Sequence, residues 1–199
     1  MEQMGYQIME HFSTLQGEGF HSGRSAYFLR LSGCDIGCVW CDVKDSWDND
    51  AGEFYSLENV QVLTENHDFV VITGGEPAMH DLGPLTDLLH QQNKYVAIET
   101  SGCYPLHGEV DWYTFSPKKF KAPCAEAFLK ADELKVVIYH PSDLEWAQHH
   151  AEKVTETCLL YLQPEWSKRA SLQDTIISFI HRNPRWKLSL QTHKYLEIP

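Results

Sequence analysis

Seven short apolar runs, several ended by a polar residue, most constrain what this chain can fold into. They are Tyr27 to Leu31, Phe69 to Thr73, Tyr95 to Glu99, Trp112 to Phe115, Leu134 to Tyr139, Leu159 to Leu162 and Trp186 to Leu190. β-Branched and aromatic residues fill them with little alternation, the pattern of strands buried on both faces. Helical patterns lie between several of them. Ser56 is placed to cap a helix over 57–65, and Ser142 one over 143–153. Leu82, Leu85, Leu88 and Leu89 share one face of a helix over 81–92; Leu172, Ile176, Ile177 and Ile180 do so over 171–181. Strands alternating with helices imply parallel βαβ units. About six units predict one α/β domain over 1–199, a small, partial and irregular (β/α)6-type barrel, because a full eightfold barrel takes about 250 residues. The link from Ala97 to Trp112 is too short for a crossover helix, so irregularity is expected there. Cys34, Thr73, Glu99, Ser116, Gln163 and Gln191 fall where strands end, at the rim where βα loops converge and binding groups concentrate.

One loop, over 33–42, carries Cys34-Asp-Ile-Gly-Cys38-Val-Trp-Cys41. Six cysteines scattered at random would produce this C-x3-C-x2-C triple about 0.005 times per chain. Three thiolates suit a four-iron cluster that keeps one iron open to another ligand. Gly33 and Gly37 let the chain bend around it. The alternatives are structural zinc, which wants four tetrahedral ligands and would borrow His21 or a distant histidine, and a disulfide. Cys103, Cys124 and Cys158 stand apart and are expected to pack as buried, small apolar groups.

The net charge is −12, from 16 basic and 28 acidic residues. Such a surface repels phosphate backbones, so nucleic acid is not an expected partner. The scattered basic residues form no polybasic patch for lipid. No apolar run approaches the roughly 20 residues of a membrane span. Met1-Glu2-Gln3-Met4 lacks the charged and apolar regions of a signal peptide. The expectation is a cytoplasmic protein with reduced cysteines.

The cysteine spacing, with Trp40 just before the last cysteine, resembles the radical S-adenosylmethionine superfamily, and Thr73-Gly-Gly-Glu-Pro77 resembles its GGEP motif. That resemblance implies a [4Fe-4S] cluster whose open iron chelates S-adenosylmethionine, and reductive cleavage to a 5′-deoxyadenosyl radical that abstracts a hydrogen from substrate. A narrower resemblance covers nearly the whole chain. Phe12-Ser-Thr-Leu-Gln-Gly-Glu-Gly19, Arg30-Leu-Ser-Gly-Cys34, Trp40-Cys-Asp42 and Val70-Val-Ile-Thr-Gly-Gly-Glu-Pro77 come first. Ile98-Glu-Thr-Ser-Gly102, Ser116-Pro-Lys118, Leu162-Gln-Pro164 and Leu190-Gln-Thr-His-Lys-Tyr195 follow. In this order they resemble the 7-carboxy-7-deazaguanine synthase family.

The resemblance implies ring contraction of 6-carboxy-5,6,7,8-tetrahydropterin to 7-carboxy-7-deazaguanine with loss of ammonia, in queuosine or deazapurine biosynthesis. It also implies a radical S-adenosylmethionine barrel, a homodimer and an electron donor such as flavodoxin. Leu15, Gln16 and Gly17 would hold the pterin ring, and Arg30 would pair with its carboxylate. Thr73, His193 and the terminal carboxylate of Pro199 would also meet substrate. Trp40, Cys41, Asp42, Gly75, Glu76, Ser116, Pro117 and Lys118, with Gln163, Pro164, Glu165 and Trp166, would line the S-adenosylmethionine site. Glu76 would accept from the methionine ammonium or fix its own loop.

Each has a plainer alternative: Arg30 paired with a surface acid, Gln16 capping a turn, His193 a satisfied core or surface histidine, Lys118 solvated, Pro199 a frayed end. The family often carries Thr or Ser after Cys-Asp, whose hydroxyl binds magnesium. Val43 stands there and offers no side-chain oxygen, so weak or absent magnesium dependence is expected. Two other functions fit part of the pattern: a glycyl-radical activase, and a non-catalytic zinc-binding interaction module.

Overall fold

The computed structural model describes residues 4–199. Met1, Glu2 and Gln3, on which the signal-peptide expectation largely rests, lie outside them. The chain opens with β1 (Gly5–Leu15), which pairs antiparallel with β2 (Ser25–Leu31) and, at its start, with β3 (Glu53–Ser56). The sequence expectation has no strand before Tyr27. β1 escapes it because its residues are mostly half-buried and polar, Gln7, Glu10, His11, Ser13 and Thr14 among them, with no apolar run to announce it.

α1 (Leu57–Thr64) starts on Ser56 as expected. The Ser56 hydroxyl accepts from the Asn59 N–H at 3.3 Å, and the Asn59 side chain accepts from the Ser56 N–H at 3.1 Å, closing a capping box. Next come β4 (Phe69–Gly74), α2 (Gly83–Gln91) and β5 (Tyr95–Thr100). α2 begins two residues later than the pattern suggests, with Pro84 in its first turn, where a missing N–H costs nothing. β6 (Trp112–Phe115), α3 (Ala125–Lys130), β7 (Glu133–Ile138) and α4 (Asp143–Ala151) follow. Ser142 does not cap α4. The Asp143 carboxylate instead accepts the N–H groups of Tyr139 at 2.8 Å and His140 at 2.9 Å. β8 (Leu159–Pro164), α5 (Arg169–Arg182), β9 (Trp186–Leu188) and α6 (Thr192–Leu196) complete the chain.

Among the described residues nine strands form one sheet, ordered β3-β1-β2-β4-β5-β6-β7-β8-β9, and every pairing from β2 to β9 is parallel. The β5–β6 crossover has no helix, as its length requires. The sheet is an open, partial barrel. α6 ties the far end back to the β1–β2 loop: both the N–H and the hydroxyl of Thr192 donate to the Gly17 carbonyl at 2.9 Å.

The outer face carries the main core. Leu82, Leu85 and Leu89 of α2, Ala147 of α4, and Leu172 and Ile176 of α5 pack on Leu29, Ile72, Ile98, Leu134 and Leu162. The inner face is apolar only at the strand starts, where Ala26, Phe69, Val71 and Ala97 form a second cluster. Further along each strand the same face turns polar, two residues past Val71 and Ala97 at Thr73 and Glu99, and four past Ala26 at Arg30. The expectation of strands buried on both faces therefore holds only at that end. Cys158 is buried, but Cys103 and Cys124 are half-buried, contrary to expectation. Cys103 Sγ donates to the Lys121 carbonyl at 3.3 Å.

Candidate active site

The loop after β2 is held by backbone contacts. Gly33 donates to the Ser46 carbonyl at 2.8 Å, Cys34 to Trp47 at 3.3 Å, and Cys41 to Cys38 at 3.1 Å. Gly33 and Gly37 adopt φ of +96° and +72°, which a side chain resists. Cys34, Cys38 and Cys41 are free thiols on the wall of one cavity of about 270 Å³. Burial pushes the Cys34 thiol up, and pushes Cys38 to about 11 although Lys118 opposes it. A bare thiolate is thus disfavoured until a metal supplies positive charge. Among the described residues no three His, Cys, Asp or Glu groups converge as ligands of one metal ion. Three free thiols spread on one hollow fit a cluster with one iron left open.

The GGEP loop is fastened to the cluster loop. Gly75 donates to the Leu31 carbonyl at 3.0 Å and Glu76 to Gly33 at 2.8 Å. A Cβ at residue 75 would lie 2.3 Å from the Gly33 oxygen and 2.6 Å from Cys34 Cβ. Glu76 is 1% exposed, and its carboxylate accepts from Thr100 Oγ1, Ala78 N at 3.1 Å, Ser101 N at 2.8 Å and Ser101 Oγ. Its oxygens fix the loop.

Across the inner face runs a charged network. Lys135 of β7 donates to Glu18 at 2.5 Å and to Glu99 at 3.0 Å. Glu99 also accepts from Gln16 Nε2 at 2.9 Å, and Glu18 from Gln191 Nε2 at 2.9 Å. Burial works against a charge on Glu18, but Lys135 and Gln191 together bring its carboxyl down to about 2. Burial likewise opposes the charge of Lys135, and Glu18, Glu99 and Glu133 outweigh it, holding the ammonium above the usual lysine range. Glu133, which accepts from the Phe20 N–H at 2.8 Å, is pushed by burial to about 7 despite Lys135.

The C-terminal segment closes over this wall. His193 stacks against Gly17, where a Cβ would lie 2.1 Å from Nδ1, and burial lowers its pKa although Glu18 opposes. The Pro199 carbonyl accepts from Thr14 Oγ1 at 2.9 Å, which ties the last residue to β1. Lys194 reaches Asp42 at 2.8 Å. At the far rim the Arg169 guanidinium lies 3.9 Å over the Trp166 ring, and Lys118 donates to Ser116 Oγ at 2.6 Å.

The cavity gathers most of the residues named from sequence. Leu15, Gln16, Gly17, Arg30, Thr73, His193 and Pro199 all border it, as do Trp40, Asp42, Gly75, Ser116, Lys118, Gln163, Glu165 and Trp166. Pro117 and Pro164 do not; Pro164 follows Gln163 on β8, and alternation turns it away. Arg30 donates from Nε to Glu10, its cross-strand partner, at 2.5 Å and still borders the cavity. Val43 presents only its hydrocarbon side chain to the wall. Sequence reasoning gave Glu18 and Lys135 no site role. The available signal was a lysine inside Glu133-Leu-Lys-Val-Val-Ile138, a strand otherwise fit for full burial.

Residues 15–104 match the family model described as a 4Fe-4S single cluster domain. The chain is 47% identical over 196 residues to the 7-carboxy-7-deazaguanine synthase of Flavobacterium psychrophilum, covering 96% of this chain and 92% of that one. It is 45% identical over 197 residues to the protein of the same name from Synechocystis sp., covering 98% and 94%. The crystal structure of QueE from Escherichia coli matches with a TM-score of 0.83 at 33% identity, over 94% of this chain and 93% of that one. Identity approaching one half along almost the full length, carried on the same fold, means that this chain belongs to the 7-carboxy-7-deazaguanine synthase family.

Proposed function

We propose that the chain converts 6-carboxy-5,6,7,8-tetrahydropterin to 7-carboxy-7-deazaguanine with release of ammonia, in queuosine or deazapurine biosynthesis. The observation that carries this is a single cavity bordered by Cys34, Cys38 and Cys41 together with Arg30, Gln16 and Glu99. When bound, the [4Fe-4S] cluster and S-adenosylmethionine supply the radical chemistry that removes a hydrogen atom from substrate. The protein's part is to bind, orient and exclude water. Cys34, Cys38 and Cys41 hold the cluster. Trp166, Gln163, Ser116 and Lys118 border the S-adenosylmethionine end. Thr73 and His193 meet the pterin, and the Pro199 terminus, held by Thr14, closes the substrate side.

Arg30, held through Nε by Glu10, keeps its terminal nitrogens for the substrate carboxylate. Arg30→Lys is expected to raise KM about tenfold with iron content unchanged, since a point charge cannot replace the fork. A near-normal KM would remove Arg30 from this role. Magnesium is not part of the proposed reaction, because Val43 offers it no side-chain oxygen and Lys194 pairs with Asp42 through Oδ2. Chelation followed by added magnesium is expected to change the rate by less than about twofold; a tenfold loss on chelation would reinstate the metal. The family resemblance extends the proposal to a cytoplasmic homodimer served by a flavodoxin-like donor. Among the described residues no helix is long and apolar enough to cross a membrane.

The deciding experiment is anaerobic incubation of reconstituted protein with reductant, S-adenosylmethionine and the carboxytetrahydropterin, read by mass spectrometry. The deazaguanine product is expected. Cleavage of S-adenosylmethionine with the pterin unchanged would overturn the proposal and favour an activase.

A further inference from the structure

Lys135 is 3% exposed, at the centre of a wall that carries three carboxylates. It is not a surface ion pair, and burying a charge this deeply is costly unless it does something. Glu18 comes from the β1–β2 loop, Glu99 from β5 and Glu133 from Lys135's own strand. Glu18, Glu99 and Lys135 all border the cavity. Each oxygen of Glu18 and Glu99 that Lys135, Gln16 or Gln191 occupies takes one hydrogen bond. A carboxylate oxygen can accept two, so acceptor capacity remains toward the cavity. Both side-chain groups of Gln16 are used, its Oε1 by the Glu18 N–H at 3.0 Å. The wall therefore presents fixed acceptors. Arg30 stands on β2, with β4, β5 and β6 between it and the Lys135 strand. A cation on one side and ionised acceptors on the other suit a ligand with a carboxylate at one end and N–H donors at the other.

We propose that Lys135 is the positioning residue of the substrate site: its ammonium grips the carboxylates of Glu18 and Glu99 and aims them, so that they accept from the 2-amino and ring N–H donors of the aminopyrimidinone. This rests on the pterin reading above and deepens it. Without Lys135, Glu18 loses the cation that favours its charged form and takes up a proton more readily. It then presents an O–H group to an N–H donor, Glu99 loses its anchor, and recognition is lost.

Lys135→Met is expected to raise KM for the carboxytetrahydropterin at least about tenfold at neutral pH, with a much smaller change in kcat. The sign with pH follows. In the variant the Glu18 carboxyl loses the cation that holds its pKa down and accepts only when ionised, so KM should fall as pH rises. In the native protein Glu18 stays ionised across this range. Glu133 on β7, His193 on α6 and Lys118 after β6 also face the network, and Glu133 loses the same cation in the variant. Both profiles are therefore recorded in a Glu133→Gln background, and their difference is the readout. Lys135→Arg restores the cation and should remove the pH dependence. Iron content and melting temperature report folding. Should Lys135→Met fail to load iron, Glu18→Gln gives a second reading, a KM raised about tenfold with kcat within about threefold. Native turnover combined with a Lys135→Met KM within about twofold of normal and an unshifted profile would overturn the positioning role alone. If Lys135→Met cannot be read, native turnover with an unchanged Glu18→Gln KM overturns it equally. Absence of native turnover would overturn the pterin reading and this proposal with it.

Discussion

Gly75→Ala is expected to leave the reconstituted protein with well under one four-iron cluster per chain and to cut S-adenosylmethionine cleavage at least about 100-fold. The reason is local and steric. The new methyl would lie 2.3 Å from the Gly33 oxygen, 2.7 Å from its carbonyl carbon and 2.6 Å from Cys34 Cβ. Two of these atoms are backbone and cannot swing aside as a flexible side-chain tip would. Relief requires separating the cluster loop from the GGEP loop, which breaks the Glu76-to-Gly33 hydrogen bond at 2.8 Å and moves the first thiol. A cluster gripped by three thiols tolerates little displacement of any one. Gly83→Ala is the control, since its Cβ would meet only Asp81 Oδ1, at 3.2 Å. Iron analysis and deoxyadenosine formation measure both variants. Full iron loading of Gly75→Ala would show that the two loops are not coupled as described.

Glu76→Ala should lower the melting temperature of the iron-free protein by about 12 °C, from about 4 kcal/mol lost at roughly 3 °C per kcal/mol in a chain of this size. Both carboxylate oxygens accept, from two backbone N–H groups and two hydroxyls. The hydroxyls can rotate toward other acceptors. The N–H groups of Ala78 and Ser101 cannot, and each buried orphan costs about 1–3 kcal/mol, with the lost contacts of the side chain added. The measurement belongs on iron-free protein so that cluster binding does not mask the loss. A shift below about 3 °C would show that Glu76 does not organise the loop.

The contrast between these residues and Lys135 explains what could be read from sequence. Cys34, Cys38 and Cys41 lie within eight residues, so one loop carries all three to the wall of one cavity. Gly74-Gly75 after an apolar run likewise signals a turn at a strand end. β4 and β5 declare themselves by continuous apolar runs because helices cover one face and the inner cluster the other. β1 does not, since much of its surface is half-buried. Capping followed the same division. Ser56 caps α1 through Asn59, three residues away, whereas the expected Ser142 cap lost to Asp143, whose carboxylate reaches back to 139 and 140.

What the sequence determined by itself was therefore the local chemistry: the alternation of strands and helices, the cysteine loop, and the glycines that must approach it. Only the tertiary structure decided the substrate wall. Lys135 meets Glu18 across 117 positions and Glu99 across 36, and Lys194 meets Asp42 across 152. No propensity or periodicity encodes such pairs. They exist because parallel strands place distant residues on one inner face, where burial makes each charge depend on its partner.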